Sequence, residues 1–268
     1  MPDGGAPDRL DDYLALAERL AEASAAIIRR WFEKGAAVEE KADETPVTQA
    51  DREVEAAMRR IIAEAFPEHG IIGEEHGTEG GEADYVWVLD PIDGTKRFVA
   101  GQPWFGTLIA LTRHARPIVG VIDIPMLEQR WVGAAGRRSL LRGRDGTSEV
   151  GTRPCPSLAA AILSSTSPDM FQGPAATAFD RLRRAVKYPL YGGDCYSYGT
   201  LASGRLDLVV EAGMGVYDFM ALVPVVEGAG GRITDWQGAP LTLGSGDQVL
   251  AVGDPRLHEA ALARLAAG

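Results

Sequence analysis

The stretch "WVLDPIDGTKRF", Trp87 to Phe98, runs an apolar segment into two aspartates, Asp90 and Asp93, followed by a glycine and a threonine. Pro, Asp and Gly are ordinary loop punctuation, so a solvent-facing turn accounts for the second half. A metal site accounts for it as well. Hard cations such as Mg²⁺ take oxygen ligands at about 2.0–2.1 Å, drawing on one or two carboxylates together with water and substrate phosphate. A strand ending in Asp-x-x-Asp offers two carboxylates from one turn, which Pro91 stiffens, and a backbone carbonyl can join them. Gly94 allows close backbone approach, and the amides of Gly94 and Thr95 can cradle a phosphate oxygen.

Outward from this stretch, the patterning gives a mixed α and β chain. Upstream, Leu10 to Phe32 carries apolar residues at near-helical spacing, with Gly35 as a stop. A second helix is expected from Thr48, where "TQAD" resembles a capping box, and it ends at Pro67 and Gly70. From there to about Val150 the runs "YVWVLD", "FGTLIALT", "PIVGVIDI" and "RWVGAA" read as strands joined by short links, an antiparallel sheet covered by the two helices. Beyond Pro154 the rhythm alternates: strands at "AAILSST", "YPLYG" and "LDLVVEA", with helices over Ala175 to Val186 and Ser197 to Ser203 between them. A helix from Tyr217 to Gly228, strands near Gly231 and Val249, and a helix from Pro255 complete it. The expected organisation is an N-terminal α+β domain over 1–150 and a C-terminal α/β domain over 151–268.

The bulk properties narrow the function classes. The 268 residues are 46% hydrophobic and carry a formal net charge of −11, which repels nucleic acid and anionic lipid. No signal peptide or membrane-spanning run is evident, so cytoplasm is the expected compartment. Cys155 and Cys195 lack CxxC spacing and read as buried reduced thiols; His69 and His76 lack the close helical spacing of a zinc pair.

Three further acidic features stand beside the opening stretch: Glu74 and Glu75 in "IIGEEHG", Asp51 in "VTQADREVE", and Asp218 in "VYDFMALVPVVEGAGG". Singly, each has a structural explanation as loop charge, helix cap or helix-dipole partner. They make a site only if they converge.

Together, "GEE" at 73–75, "LDPIDGT" at 89–95 and "YDFMALVPVVEGAGG" at 217–231 resemble, in order and spacing, the signatures of the inositol monophosphatase-like family of Mg²⁺-dependent, lithium-sensitive phosphatases. The resemblance covers nearly the whole chain. It implies a layered α-β-α-β-α sandwich, a homodimer, and two to three Mg²⁺ ions per site. Glu74, Asp90 and the Ile92 carbonyl would hold one ion. Asp90 would bridge to a second, completed by Asp93 and Asp218, and a third and weaker ion would sit near Glu74. Thr95 would help activate the attacking water with Asp51 supporting it. Asp93, Gly94 and Thr95 would meet the phosphate. Thr45 and Thr112 have no such match and read as structural.

A two-ion clamp leaves the protein mainly positioning and charge compensation to supply, which suits a chain without a persuasive Ser-His-Asp or Cys-His nucleophile. The leaving alcohol is expected to face Gly192, Gly193, Asp194 and Glu211. "GGDCYSYG" and "SSTSPDMF" look like the histidinol-phosphatase branch of the family, and two carboxylates suit a cationic leaving group. Asp194 also reads as a cap of the helix that follows it, and Arg97 as a surface or rim residue. The alternatives are an inositol monophosphatase or broad sugar phosphatase, and a non-catalytic partner of RNA polymerase or RNA, which the acidic balance disfavours. The Trp104-Phe105 pair fits either a core or a subunit surface.

Overall fold

The computed structural model describes the backbone of residues 9–34, 38–40 and 46–266, and the side chains of 9–33 and 49–266. Gly35, Thr45 and the Thr48 side chain, which were given roles above, lie outside the described residues.

Helix α1 (Leu10–Lys34) and helix α2 (Gln49–Ala65) form the first layer. Each buries one stripe: Tyr13, Leu16, Leu20 and Ile28 from α1, and Val54, Met58 and Ile62 from α2. This is the 3.6-residue periodicity that the sequence displays. A short antiparallel pair, β1 (Val38–Glu40) and β2 (Pro46–Thr48), lies between them in the chain.

Strands β3 (Gly70–Gly73), β4 (Gly77–Glu79), β5 (Tyr85–Asp93), β6 (Gly106–Arg113), β7 (Arg116–Ile124), β8 (Gln129–Ala134), β9 (Leu140–Gly143) and β10 (Gly146–Glu149) form an eight-stranded sheet in the order β10-β9-β8-β7-β6-β5-β3-β4. The expected antiparallel pairing holds except between β3 and β5, which run parallel because the β4 hairpin returns the chain before β5 begins. Alternation along β5 sends Trp87 and Leu89 to the α1/α2 side and Val88 to the opposite side.

The opposite face packs on α5 (Asp194–Ala202), α6 (Val216–Phe219) and α7 (Leu222–Gly228). Beyond these helices lies a second sheet, in the order β12-β11-β13-β15-β14, built from β11 (Ile162–Ser165), β12 (Tyr188–Tyr191), β13 (Leu208–Glu211), β14 (Arg232–Thr234) and β15 (Val249–Val252). Its far face is covered by α4 (Pro174–Ala185) and α8 (His258–Ala266), with Leu163, Leu208, Val210, Leu250 and Val252 in the interface. Five layers alternate helix and strand, as expected.

Three elements differ locally from the expectation. The expected helix over Tyr217–Gly228 is two, because Pro224 has no amide to bond the Met220 carbonyl one turn back. The helix expected at Ser197 begins at Asp194, whose φ of +43° is the left-handed conformation that Asp tolerates better than most residues. A one-turn helix, α3 (Thr95–Val99), occupies what reads as a plain turn after the Asp-x-x-Asp element.

Candidate active site

The site begins where β5 stops being regular. Its ladder with β6 slips register between Asp90 and Asp93, and this bulge takes the carbonyls of Pro91 and Ile92 out of the sheet. Hydroxyls engage both: Thr107 Oγ1 donates to the Pro91 carbonyl at 2.8 Å, and Thr95 Oγ1 to the Ile92 carbonyl at 3.0 Å. A carbonyl oxygen has two lone pairs, so Ile92 keeps one for a further ligand. Gly94 follows at φ +83° and starts α3, a conformation that an L side chain would strain.

Asp90, Asp93 and Asp218 converge. One carboxylate oxygen from each lies within 4.8 Å of the other two. The Cys195 amide donates to Asp93 at 2.7 Å and the Gly215 amide to Asp218 at 2.6 Å, which fixes both rotamers. Asp90 is 1% exposed, and its Oδ1 is buried with no hydrogen-bond partner. Burial pushes the Asp90 carboxyl far above the usual range, and the charges that weigh most on it are four more carboxylates: Glu74, Asp93, Asp218 and Asp51. Asp218 is pushed up likewise, by burial and then Asp93. Asp93 is pushed up to about 6, by burial and then Asp194, with the Cys195 amide opposing.

Convergent carboxylates with an orphaned buried oxygen among them form a donor set of hard oxygens, and a divalent hard cation satisfies both the charge and the vacant lone pairs. Glu74 stands outside the three-residue cluster, in the turn after β3, but its amide donates to the Leu89 carbonyl at 3.2 Å, next to Asp90. Asp51 is buried in the first turn of α2 and contributes charge at Asp90. The residues expected to hold metal therefore share one place.

The second carboxylate group is adjacent. Glu211, at the end of β13, accepts the Thr166 amide at 2.9 Å, the Thr166 hydroxyl at 2.5 Å and the Tyr198 hydroxyl at 3.2 Å. Asp194 accepts Arg97 Nε at 3.0 Å, so Arg97 is an ion-pair partner inside the site and not merely a rim residue. Asp194 makes no side-chain cap to its helix; Gly193 holds the cap position. Gly192 and Gly193 are explained by crowding: a Cβ on Gly192 would stand 2.5 Å from the Arg97 guanidinium, and one on Gly193 would stand 2.1 Å from Ser197 Oγ.

The inositol monophosphatase family model matches residues 9–267. The chain belongs to the inositol monophosphatase family. Among its relatives, the chloroplastic bifunctional phosphatase IMPL2 of Arabidopsis thaliana is 49% identical over 96% of this chain and 75% of its own length. A histidinol-phosphatase of Mycobacterium tuberculosis is 36% identical over 96% and 99%. A solved inositol monophosphatase from Zymomonas mobilis superposes with a TM-score of 0.87 at 45% identity, covering 97% of this chain and 99% of its own. The chain is a phosphatase of this family, which is metal-dependent, typically with Mg²⁺.

Family membership leaves other residues to be explained by the structure. Both cysteines are buried and unpaired. His69 is neutral and structural: it stacks between Phe66 and Tyr85, its Nδ1 accepts Trp87 Nε1 at 3.1 Å, and burial holds its pKa down. Thr112 bonds the Val86 carbonyl within the sheet. The Trp104-Phe105 pair divides, Phe105 entering the core and Trp104 donating Nε1 to the Gly192 carbonyl at 2.9 Å. Sequence reading missed Thr166, Tyr198 and Glu55. Thr166 and Tyr198 lie inside "SSTSPDMF" and "GGDCYSYG", and Glu55 stands one helical turn after Asp51 in "VTQADREVE".

Proposed function

We propose that the chain is a Mg²⁺-dependent histidinol-phosphatase, converting L-histidinol phosphate and water to L-histidinol and inorganic phosphate in histidine biosynthesis, as a cytoplasmic homodimer. The observation that supports the substrate is the pair of carboxyl groups on Asp194, half-buried, and Glu211, buried, which both bear on the Asp93 region; Glu211 is pushed up to about 7 by burial, with Asp93 and Asp194 adding to the push. Two carboxyl groups beside a phosphate site offer acceptors and counter-charge that a cationic leaving group uses and a neutral polyol does not, since a cation beside Glu211 favours its ionised form, and histidinol phosphate carries an ammonium and an imidazole.

Glu74, Asp90, Asp93, Asp218 and the Ile92 carbonyl would hold two to three Mg²⁺ ions. When bound, the metal supplies charge compensation for the phosphoryl group and a lowered pKa for water. The chain's own residues then orient the reaction. The amides of Gly94 and Thr95 receive phosphate oxygens at the start of α3. The Thr95 hydroxyl, released from the Ile92 carbonyl, directs a water with Asp51 behind it. Asp194 and Glu211 hold the leaving alcohol.

Phosphate release from histidinol phosphate and inositol 1-phosphate, measured side by side with Mg²⁺ and then with added Li⁺, tests the reading. The expected result is a kcat/KM at least about 10-fold higher for histidinol phosphate, worth roughly 1.4 kcal/mol of discrimination, inhibition by Li⁺, and loss of the preference in Asp194→Ala. A light-scattering mass of two chains accompanies it. Equal or better hydrolysis of the inositol ester would transfer the assignment to that substrate. Absence of turnover on both would revive a non-catalytic role.

A further inference from the structure

Helix α2 presents a second acid to the site's periphery. Glu55 has no exposed surface, although it carries a carboxylate. Its Oε2 accepts the Glu75 amide at 2.7 Å, and its Oε1 accepts the His76 amide at 3.2 Å and Arg59 Nε at 2.7 Å. The Arg59 guanidinium continues to the Gly77 carbonyl. One side chain therefore bonds successive amides of the turn that joins β3 to β4, and its ion-pair partner closes the far end of that turn.

Glu74 lies in this turn. From one side its amide is tied to the Leu89 carbonyl on β5; from the other, the following two amides are tied to Glu55 on α2. Gly73, just before it, leaves room for this carboxylate, since a Cβ there would stand 2.0 Å from Glu55 Oε1 and would displace it from the turn. An i, i+4 pair between Glu55 and Arg59 on an exposed helix face would supply helix stability at little cost. A fully buried carboxylate costs far more than such a pair returns, and the charge-assisted bonds to the turn are what offset it.

We infer that Glu55 is a positioning residue, holding the Glu74 turn at the geometry in which Glu74 meets the same cation as Asp90. It touches neither substrate nor metal; it acts through the backbone of residues 74–76. The inference rests on the Mg²⁺ reading above. Groups that orient metal ligands typically change metal affinity by about 10–100-fold when lost.

The test is Glu55→Gln, which keeps the side chain's shape but replaces one acceptor oxygen with an NH₂ that faces a backbone N–H. Mg²⁺ binding to the purified chain is measured by calorimetry, alongside the Mg²⁺ dependence of phosphate release. Binding is expected to weaken by about 10-fold or more, the half-saturating Mg²⁺ to rise by the same factor, and kcat at saturating Mg²⁺ to stay within about threefold, because an ion at high concentration draws the turn into place. A merely structural Glu55 would lower the melting temperature and leave Mg²⁺ affinity unchanged. If Glu55→Gln does not fold, Glu55→Asp keeps the charge for Arg59 but withdraws the carboxylate from the turn, with the same weakening expected. A folded variant with wild-type Mg²⁺ affinity overturns the inference, whereas a wild-type chain that binds no Mg²⁺ overturns the metal reading itself.

Discussion

A carboxylate that accepts three hydrogen bonds should ionise easily, yet Glu211 is pushed up to about 7. Burial is the largest cause and outweighs the Thr166 hydroxyl and amide, while the charges of Asp93 and Asp194 add to it. The sign of the consequence follows from linkage: with a folded pKa above the ordinary 4.5, the folded state binds more protons than the unfolded chain between about 4.5 and 7. This stabilising contribution is full below 4.5 and is lost as pH rises through 7. In metal-free buffer, the melting temperature of the wild type should therefore fall relative to Glu211→Gln by several degrees between pH 5 and pH 8, since 1 kcal/mol is worth roughly 2–4 °C in a chain near this size. A difference that stays flat with pH would show that Glu211 is ionised throughout. At this scale the clustered acids were legible in the sequence through the family resemblance that Asp-x-x-Asp and its companions carry, while Glu55 was not. Their neutral and cationic partners were not: Thr166, Tyr198 and Arg97 reach Glu211 and Asp194 from other elements, and no local pattern marks a contact made only by tertiary folding.

Asp218 depends on how closely its helices approach the large sheet. Gly120 on β7 and Gly133 on β8 are cross-strand partners. A Cβ on Gly120 would stand 2.1 Å from the Ala221 carbonyl oxygen, and one on Gly133 would stand 2.4 Å from the Pro224 carbonyl. The obstacles are backbone atoms of the α6–α7 segment, which cannot turn aside as a flexible side chain can. Gly133→Ala should thus displace that segment and lose about 1–3 kcal/mol by overpacking, together with a rise in the Mg²⁺ needed for half activity because α6 carries Asp218. Gly246→Ala, which meets nothing within 4 Å, should leave both unchanged. A Gly133→Ala protein with wild-type melting and Mg²⁺ response would mean that α7 has slack. The long amphipathic helices and the apolar strands were legible because their periods persist over several turns or pairs. The β3/β4 and β9/β10 hairpins and α3 were not, since elements of three to five residues carry no period to read. The fission of α6 from α7 was signalled by Pro224, which the apolar run around it concealed.

For the molecule as a whole, the layer between the two sheets decides how it unfolds. Sequence reading divides the chain near residue 150, but one hydrophobic cluster contains Val88, Leu108 and Ile122 of the large sheet, Tyr198, Phe219 and Val225 of the middle helices, and Val209, Val249 and Ala251 of the second sheet. Neither sheet can be exposed without opening the interface that the other also uses. The carboxylates follow the same plan, with Asp90 and Asp93 on β5 and Asp218 on the middle layer, so a cation bound to all three ties layer to layer. Calorimetry should therefore give one cooperative transition and not two. Adding Mg²⁺ should move it upward as a unit, by about 2.7 kcal/mol at 100 times the dissociation constant, which is roughly 5–11 °C for a chain near this size. Asp90→Asn should behave differently at both ends: it removes a charge that burial and four neighbouring carboxylates oppose, so the metal-free protein should melt higher than the wild type, while most of the Mg²⁺-induced rise should disappear. Two separate transitions, of which Mg²⁺ moves only the lower, would mean that the halves unfold independently and that the shared cluster is an interface between domains; a single transition indifferent to Mg²⁺ would mean that the acids are packed for some purpose other than holding a cation.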